Sequence, residues 1–225
     1  MKKQDKIAIV LGATGLTGSF LVKELLDDPR YAKVKLFSRS KIGFSHPKLE
    51  EHLGDVLDLK SFKTFFVADE VFCCIGTTKA KTPDKDLYHQ IDCGIPVKAA
   101  QLCMENGITT FIVISALGAN PKSKVFYNKT KGIMEEEVVK CKIKKTHILQ
   151  PSLIGGRREE KRFGEWFAKQ LLKIFNFAMI GPWQKYKTIH PAAIATTMAW
   201  LANNKYHKIY IESDEIKTIN QDCKG

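Results

Sequence analysis

Tyr127 and Lys131 stand four residues apart in the segment YNKTKG. On a helix that spacing puts both side chains on one face. An ammonium beside a phenol favours the phenolate and draws the tyrosine below its ordinary pKa of about 10. Such a tyrosine can give a proton to a carbonyl oxygen as hydride reaches the carbon, or take it back in oxidation. Ser115, in the run TTFIVISA, carries a hydroxyl able to hold the same oxygen by a hydrogen bond. Ser115, Tyr127 and Lys131 are therefore the candidate catalytic residues. The motif is short, and Tyr31 with Lys35 repeats it. With six tyrosines and many lysines, about one such pair is expected by chance. The second pair leads into an expected strand, where residues four apart do not form the helical face that the chemistry needs.

A second constellation is the segment GATGLTG, with Gly12, Gly15 and Gly18 at three-residue spacing between an apolar run and a helical stretch. A helix opening there presents unpaired N–H groups and a positive dipole end, which suit a phosphate. Glycine allows the sharp turn and the close approach of a diphosphate. The spacing is G-x-x-G-x-x-G and not the commoner G-x-G-x-x-G, but its place after a first strand favours a nucleotide. The next strand ends FSRSK, where Arg39 and Lys41 stand instead of an acid that would bind a ribose 2′-hydroxyl. A guanidinium fits a 2′-phosphate bidentately, so the cofactor expected is NADP(H).

The elements that must position these residues alternate along the chain. Strands are expected at 6–11, 32–39, 49–53, 70–76, 109–116 and 145–151, with a last short strand in KIYIES closing the chain. Helices are expected at 16–28, 58–66, 86–107, 125–141, 163–179 and 192–203. Strand–helix alternation at this spacing predicts right-handed crossovers and a doubly wound parallel α/β sheet, with ligands beyond the carboxyl ends of the strands. The expected organisation is one domain over 1–225, with a core over 6–156 and a small C-terminal substrate or lid region with closing elements over 157–225. In 163–179, Phe163, Trp166, Phe167, Leu171, Ile174, Phe175 and Ala178 recur at three and four, predicting a helix that packs over the catalytic end. Its aromatic content points to an apolar substrate.

In order, GATGLTG, the SR at the second strand end, GDVLD, CCIGTT, ISALGAN, YNKTKG and LQPSLIGG resemble the atypical short-chain dehydrogenase/reductases, most closely their Tat-interacting tumour-suppressor-like branch. The resemblance covers nearly the whole chain. It implies a Rossmann fold with strand order 3-2-1-4-5-6 and an NADP(H) site. By that resemblance Gly12, Thr14, Gly15, Leu16 and Thr17 surround the diphosphate, and Arg39 takes the 2′-phosphate. Asp55 and Val56 flank the adenine, while Cys74, Ile75 and Gly76 line the adenine-ribose side. Pro151 to Leu153 meet the nicotinamide, and Lys131 also holds the nicotinamide ribose. Tyr127, rather than Tyr31, follows the fifth strand and Ser115 at the family's spacing. His190 is implied to be a packing or capping residue. One departure stands out: many active relatives carry asparagine where QID places Asp92, which bears on the proton relay.

Composition narrows the alternatives. The net charge of +12 is spread over nearly every element, and no nucleic-acid recognition motif accompanies it. Six cysteines form no C-x-x-C pair and no zinc-ligand spacing, so no metal is expected and a reducing compartment is implied. Cys73 and Cys74, as strand neighbours, point to opposite faces and make a poor redox pair. The apolar run after the basic start is too short for a signal peptide, and no stretch is long enough to span a bilayer, so a cytoplasmic location is expected. The leading reading is an NADP(H)-dependent oxidoreductase that reduces a carbonyl of a small apolar substrate. The alternative is an NADP(H)-binding redox sensor that contacts a protein partner with little turnover. A homodimer is compatible with either.

Overall fold

The structure, a computed structural model, describes residues 5–155 and 187–223. The segments 156–186, 1–4 and 224–225 lie outside it, and with them the helix expected at 163–179. Seven parallel strands form one sheet in the order β3-β2-β1-β4-β5-β6-β7. They are β1 (Lys6–Leu11), β2 (Tyr31–Ser38), β3 (Leu49–Leu53), β4 (Glu70–Cys73), β5 (Thr110–Ile114), β6 (Lys145–Gln150) and β7 (Tyr210–Glu212). The expected Rossmann order holds, and β7 extends it by pairing with β6.

The β1 sequence KIAIVL shows why the sheet is covered on both sides. Successive side chains alternate faces, and Ala8 through Leu11 are all buried. Ala8 and Val10 pack under α1 (Gly18–Asp27) together with α5 (Pro191–Asn203) and α6 (Ser213–Asp222). Ile9 and Leu11 pack on the other face with α3 (Ile95–Glu105) and α4 (Phe126–Lys140). Because β1 is flanked by β2 and β4, the chain leaves it in opposite directions across the sheet, opening a crevice at their carboxyl ends.

Three elements differ from the sequence expectation. The 58–66 helix is a 3-10 turn over Val56–Phe62, with Asp58 off helical geometry. The long helix expected over 86–107 is split into α2 (Lys85–His89), a π segment (Gln90–Gly94) and α3. Pro96 explains the break: it has no N–H to donate, and its ring crowds the carbonyl four residues back. The chain instead widens by one residue there, with Ile95 N–H reaching Gln90 C=O. Finally, the chain does not close on β7. Ser213, Asp214 and Glu215 open α6, and its buried residues Ile216 and Ile219 give it an apolar stripe.

Candidate active site

Two loops meet at the crevice. Gly12 follows β1 with φ 81°, and a Cβ there would lie 2.8 Å from the carbonyl carbon and oxygen of Cys74, just past β4. Gly18 opens α1 so close to the turn that a Cβ would sit 2.1 Å from Gly12 O. Both glycines are thus demanded by the chain itself. Gly15 N–H closes the turn onto Gly12 O at 2.9 Å. Among the described residues the N–H groups of Leu16 and Thr17 have no partner, and no side chain caps the start of α1. Thr14 is exposed at the rim of the turn, and Thr17 is buried beneath it. What remains open is a positive helix end, the feature that receives a phosphate.

On the β2 side, Gly54 N–H donates to Ser38 O at 3.0 Å and draws the ends of β2 and β3 together. Arg39 and Asp55 therefore follow neighbouring strand ends. Arg39 is exposed and forms no ion pair among the described residues. The Asp55 carboxylate is partly committed, because it accepts Leu57 N–H at 2.9 Å and caps the 3-10 turn over buried Val56. Past β4, Cys74 and Ile75 are half-buried and Gly76 is exposed.

Gly76 leads to the reacting groups. A Cβ built on it would lie 3.5 Å from Asp92 Oδ1 and 4.0 Å from Lys131 Nζ. Lys131 is 3% exposed and pairs with Asp92, itself 1% exposed, at 2.9 Å. Thr77 N–H donates to the other Asp92 oxygen at 2.7 Å. Tyr127 lies one turn before Lys131 on α4 and is 37% exposed. Its hydroxyl has no hydrogen-bond partner among the described residues. Ser115, at the end of β5, is buried, and its Oγ is likewise unpaired. Gly132 lets α4 press on the loop before it, since a Cβ there would meet Pro121 N at 2.2 Å. At the end of β6, Pro151 is buried, with its carbonyl accepting Leu117 N–H at 3.0 Å, and Leu153 is exposed.

The electrostatics depart from expectation in one respect. Burial raises the Tyr127 pKa above the ordinary phenol value; Lys131 pulls it down, and Asp92 pushes it up again. The tyrosine is therefore not depressed, because burial, with a smaller push from Asp92, outweighs the pull of Lys131. For Lys131, burial opposes the ammonium, but Asp92 and Tyr127 outweigh it and hold its pKa above the usual lysine value. Glu135, one turn further along α4, accepts the Gln150 amide at 2.9 and 3.1 Å. Burial raises its pKa against the pull of nearby Ser115, Gln150 and Lys131. The Ser115 hydroxyl is close enough to favour that carboxylate but does not reach it in bonded geometry. Neither Asp92 nor Glu135 belongs to the expected catalytic set. The signal for Asp92 was Gly94 and Pro96 inside an otherwise helical pattern; for Glu135 it was the four-residue step from Lys131.

Residues 12–154 match the model of a family described as NAD(P)H-binding. The chain belongs to that NAD(P)H-binding family. The protein HTATIP2 of Rattus norvegicus is 32% identical over 173 residues, covering 75% of this chain and 71% of that protein. The protein FMP52-1 of Scheffersomyces stipitis, named mitochondrial, is 33% identical over 164 residues, covering 69% and 70%. Among solved structures, the Bordetella bronchiseptica enzyme WbmH in complex with NAD+ superimposes with a TM-score of 0.68 at 14% identity, covering 96% of this chain and 79% of that one. A UDP-N-acetylglucosamine 4-epimerase from Methanobrevibacter ruminantium M1 gives 0.67 at 19% identity, covering 96% and 81%. These two establish the shared fold.

Other residues of this NAD(P)H-binding chain fall into supporting places. His190 caps α5, its Nδ1 accepting Ala192 N–H at 3.2 Å. Cys73 packs under α3 and α4 while Cys74 faces Met198 on the other side, so the two thiols do point apart. All six cysteines are free. Among the described residues no helix is long and apolar enough to cross a membrane, and no cluster of metal-ligating side chains occurs.

Proposed function

We propose that the protein is an NADP(H)-dependent oxidoreductase that reduces the carbonyl of a small apolar molecule. The observation that carries this reading is the placement of Lys131 beside the Gly76 loop, which itself packs on the glycine turn. The residues fit a dinucleotide: among the described residues, the helix end at Leu16 and Thr17 is open, the Arg39 cation forms no ion pair and the buried Ser115 hydroxyl has no partner. When bound, the dinucleotide supplies hydride. Gly12, Thr14, Gly15, Leu16 and Thr17 would hold its diphosphate, and Arg39 would select the 2′-phosphate. Asp55 and Val56 would flank the adenine, Cys74 to Gly76 the adenosine ribose, and Pro151 and Leu153 the nicotinamide.

In this reading Tyr127 gives its proton to the substrate oxygen, Ser115 orients that oxygen, and Lys131 stabilises the phenolate left behind. An apolar substrate suits the site, since Val125 and Phe126, next to Tyr127 in the chain, and Leu153 past β6 are exposed. A cytoplasmic location is part of the same proposal. One observation favours the second reading, a redox sensor that contacts a protein partner: the Lys131 charge is already matched by Asp92. A carbonyl panel with NADPH separates the two. Oxidation of NADPH that depends on the carbonyl supports the enzyme; tight NADPH binding with no turnover across the panel supports the sensor.

A further inference from the structure

Asp92 faces a positive group with each oxygen: Thr77 N–H donates to Oδ2 at 2.7 Å, and the Lys131 ammonium forms an ion pair 2.9 Å from Oδ1. An asparagine offers one acceptor oxygen, and in either orientation its amide nitrogen would face one of those positive groups. The buried geometry calls for a carboxylate. The backbone that presents it is the π segment Gln90–Gly94, a local widening of the kind that recurs at functional sites.

The titratable groups packed around Tyr127 and Lys131 come from four elements. They are Tyr88 on α2, Asp92 and Cys93 on the π segment, Cys73 on β4 and Glu135 on α4. Burial pushes the thiols of Cys73 and Cys93 up to about 11 and the Tyr88 phenol higher, so all three are uncharged near neutrality. Burial also favours the protonated form of Glu135. The charge balance at Tyr127 is therefore set mainly by Lys131 against Asp92.

We propose that Asp92 is a positioning residue that commits the Lys131 charge to itself and so leaves Tyr127 as the proton-carrying acid that carbonyl reduction needs, at the expense of the phenolate that alcohol oxidation needs. The inference rests on the oxidoreductase reading. Without Asp92, an unmatched ammonium beside Tyr127 would favour the phenolate, a base suited to taking a proton from an alcohol. The direction of the Tyr127 shift, upward through burial first and Asp92 in smaller part, agrees with this geometry.

Two readouts test it. Tyrosinate absorbance is titrated in the cofactor-free protein and in Asp92→Asn, each corrected with its Tyr127→Phe counterpart to isolate Tyr127. Tyr127 is expected to ionise above the ordinary phenol range in the native protein, and lower by about one pH unit or more in Asp92→Asn. Asp92→Glu, which keeps the charge, is expected to restore the high value. If the amide variant does not fold, Asp92→Ser removes the charge with less bulk and serves in its place. In active enzyme the alkaline limb of carbonyl reduction moves to lower pH, and alcohol oxidation at neutral pH speeds up. An unchanged or higher Tyr127 titration in the charge-free variants overturns the role of Asp92 even if NADPH-dependent turnover is found. A lowered titration with no turnover on any carbonyl leaves the charge balance standing and removes the oxidoreductase reading.

Discussion

The two ends of the sheet use the same side-chain types to opposite effect. At the amino end Lys6 pairs with Glu70 at 2.5 Å, Tyr31 donates to the other Glu70 oxygen at 2.5 Å, and Asn203 donates to the Tyr31 hydroxyl at 2.8 Å while accepting from Lys6 at 2.9 Å. At the carboxyl end Lys131 pairs with Asp92, but the hydroxyls of Tyr127 and Ser115 and the N–H groups of Leu16 and Thr17 stay unpaired among the described residues. A lysine, a carboxylate and a tyrosine thus form a closed knot in one place and an open set in the other. Buried groups with every bond made hold the fold; groups with bonding capacity in reserve can meet a ligand. The same contrast disposes of the second Tyr-x-x-x-Lys pair. Tyr31 is locked in the knot, and Lys35 reaches the carbonyls of Phe65 and Val67 at 3.1 Å.

Exchanging one hydroxyl at each end should separate the two roles most sharply. Tyr127→Phe is expected to bind NADPH as before and to lose about 10²–10⁴ in reduction rate, the usual worth of a positioned acid. Its stability should change little. Tyr31→Phe is expected to keep its rate per folded molecule and to lose about 1–3 kcal/mol of stability, the cost of leaving buried partners unpaired. Steady-state rates and denaturant melts of the two variants check the crossed pattern. A Tyr127→Phe enzyme with full activity would break the comparison.

Much of this contrast was legible in the sequence. Apolar runs located the central strands β1, β4 and β5 within a few residues, because strands buried on both faces have continuous apolar sequences. The glycine turn was read from spacing, and Ser115, Tyr127 and Lys131 from spacing together with the family resemblance; in the structure the turn follows β1, Ser115 follows β5, and Tyr127 and Lys131 lie on α4 with Lys131 beside the Gly76 loop. What stayed hidden depended on a change of helical period or on contacts distant in the chain. A helix pattern does not show that one extra residue will be inserted before Pro96, so the inward turn of Asp92 toward Lys131 was missed. With it was missed part of the reason that Tyr127 is raised and not lowered. The closing helix α6 was overlooked because only Ile216 and Ile219 mark its buried face in a polar run.

The turn that opens the site allows the next test. In Gly18→Ala the new methyl would overlap Gly12 O, a backbone atom that cannot move without reshaping the turn. A stability loss of about 1–3 kcal/mol is expected, as for other overpacked sites, together with weaker NADPH binding. Calorimetry and melts on one preparation measure both. Loss of stability without loss of affinity would show that this turn serves the fold and not the dinucleotide. Arg39→Ala should act in the opposite sense. The side chain is exposed and forms no ion pair among the described residues, so stability is expected to stay constant. The preference for NADPH over NADH should fall by about 1.5–3 kcal/mol, the range of a charge-assisted hydrogen bond. Equal affinities for the two dinucleotides in the native protein would remove the NADP assignment and leave the NAD(P)H-binding family unaffected.

The smallest expected effect comes from a buried group on β6. His147 is buried, and its Nδ1 lies 2.8 Å from the Lys208 carbonyl. A carbonyl only accepts, so Nδ1 carries the hydrogen and the neutral ring suffices for this bond. Burial lowers the His147 pKa; the Lys208 carbonyl opposes that shift and nearby Lys145 adds to it. The folded value thus lies below the unfolded value of about 6.5. Between those two values the unfolded chain binds a proton that the folded chain refuses, so stability falls as pH drops below about 6.5 and is level above it on this account. Glu135, whose folded pKa is raised, works in the other direction, because the folded state takes up its proton first as pH falls. The two are separated by substitution. Melting temperatures measured from pH 7.5 to 5 should fall less steeply in His147→Gln than in the native protein. Parallel curves would mean that His147 binds its proton equally well folded and unfolded, and that the apolar packing around it does not exclude the charged ring.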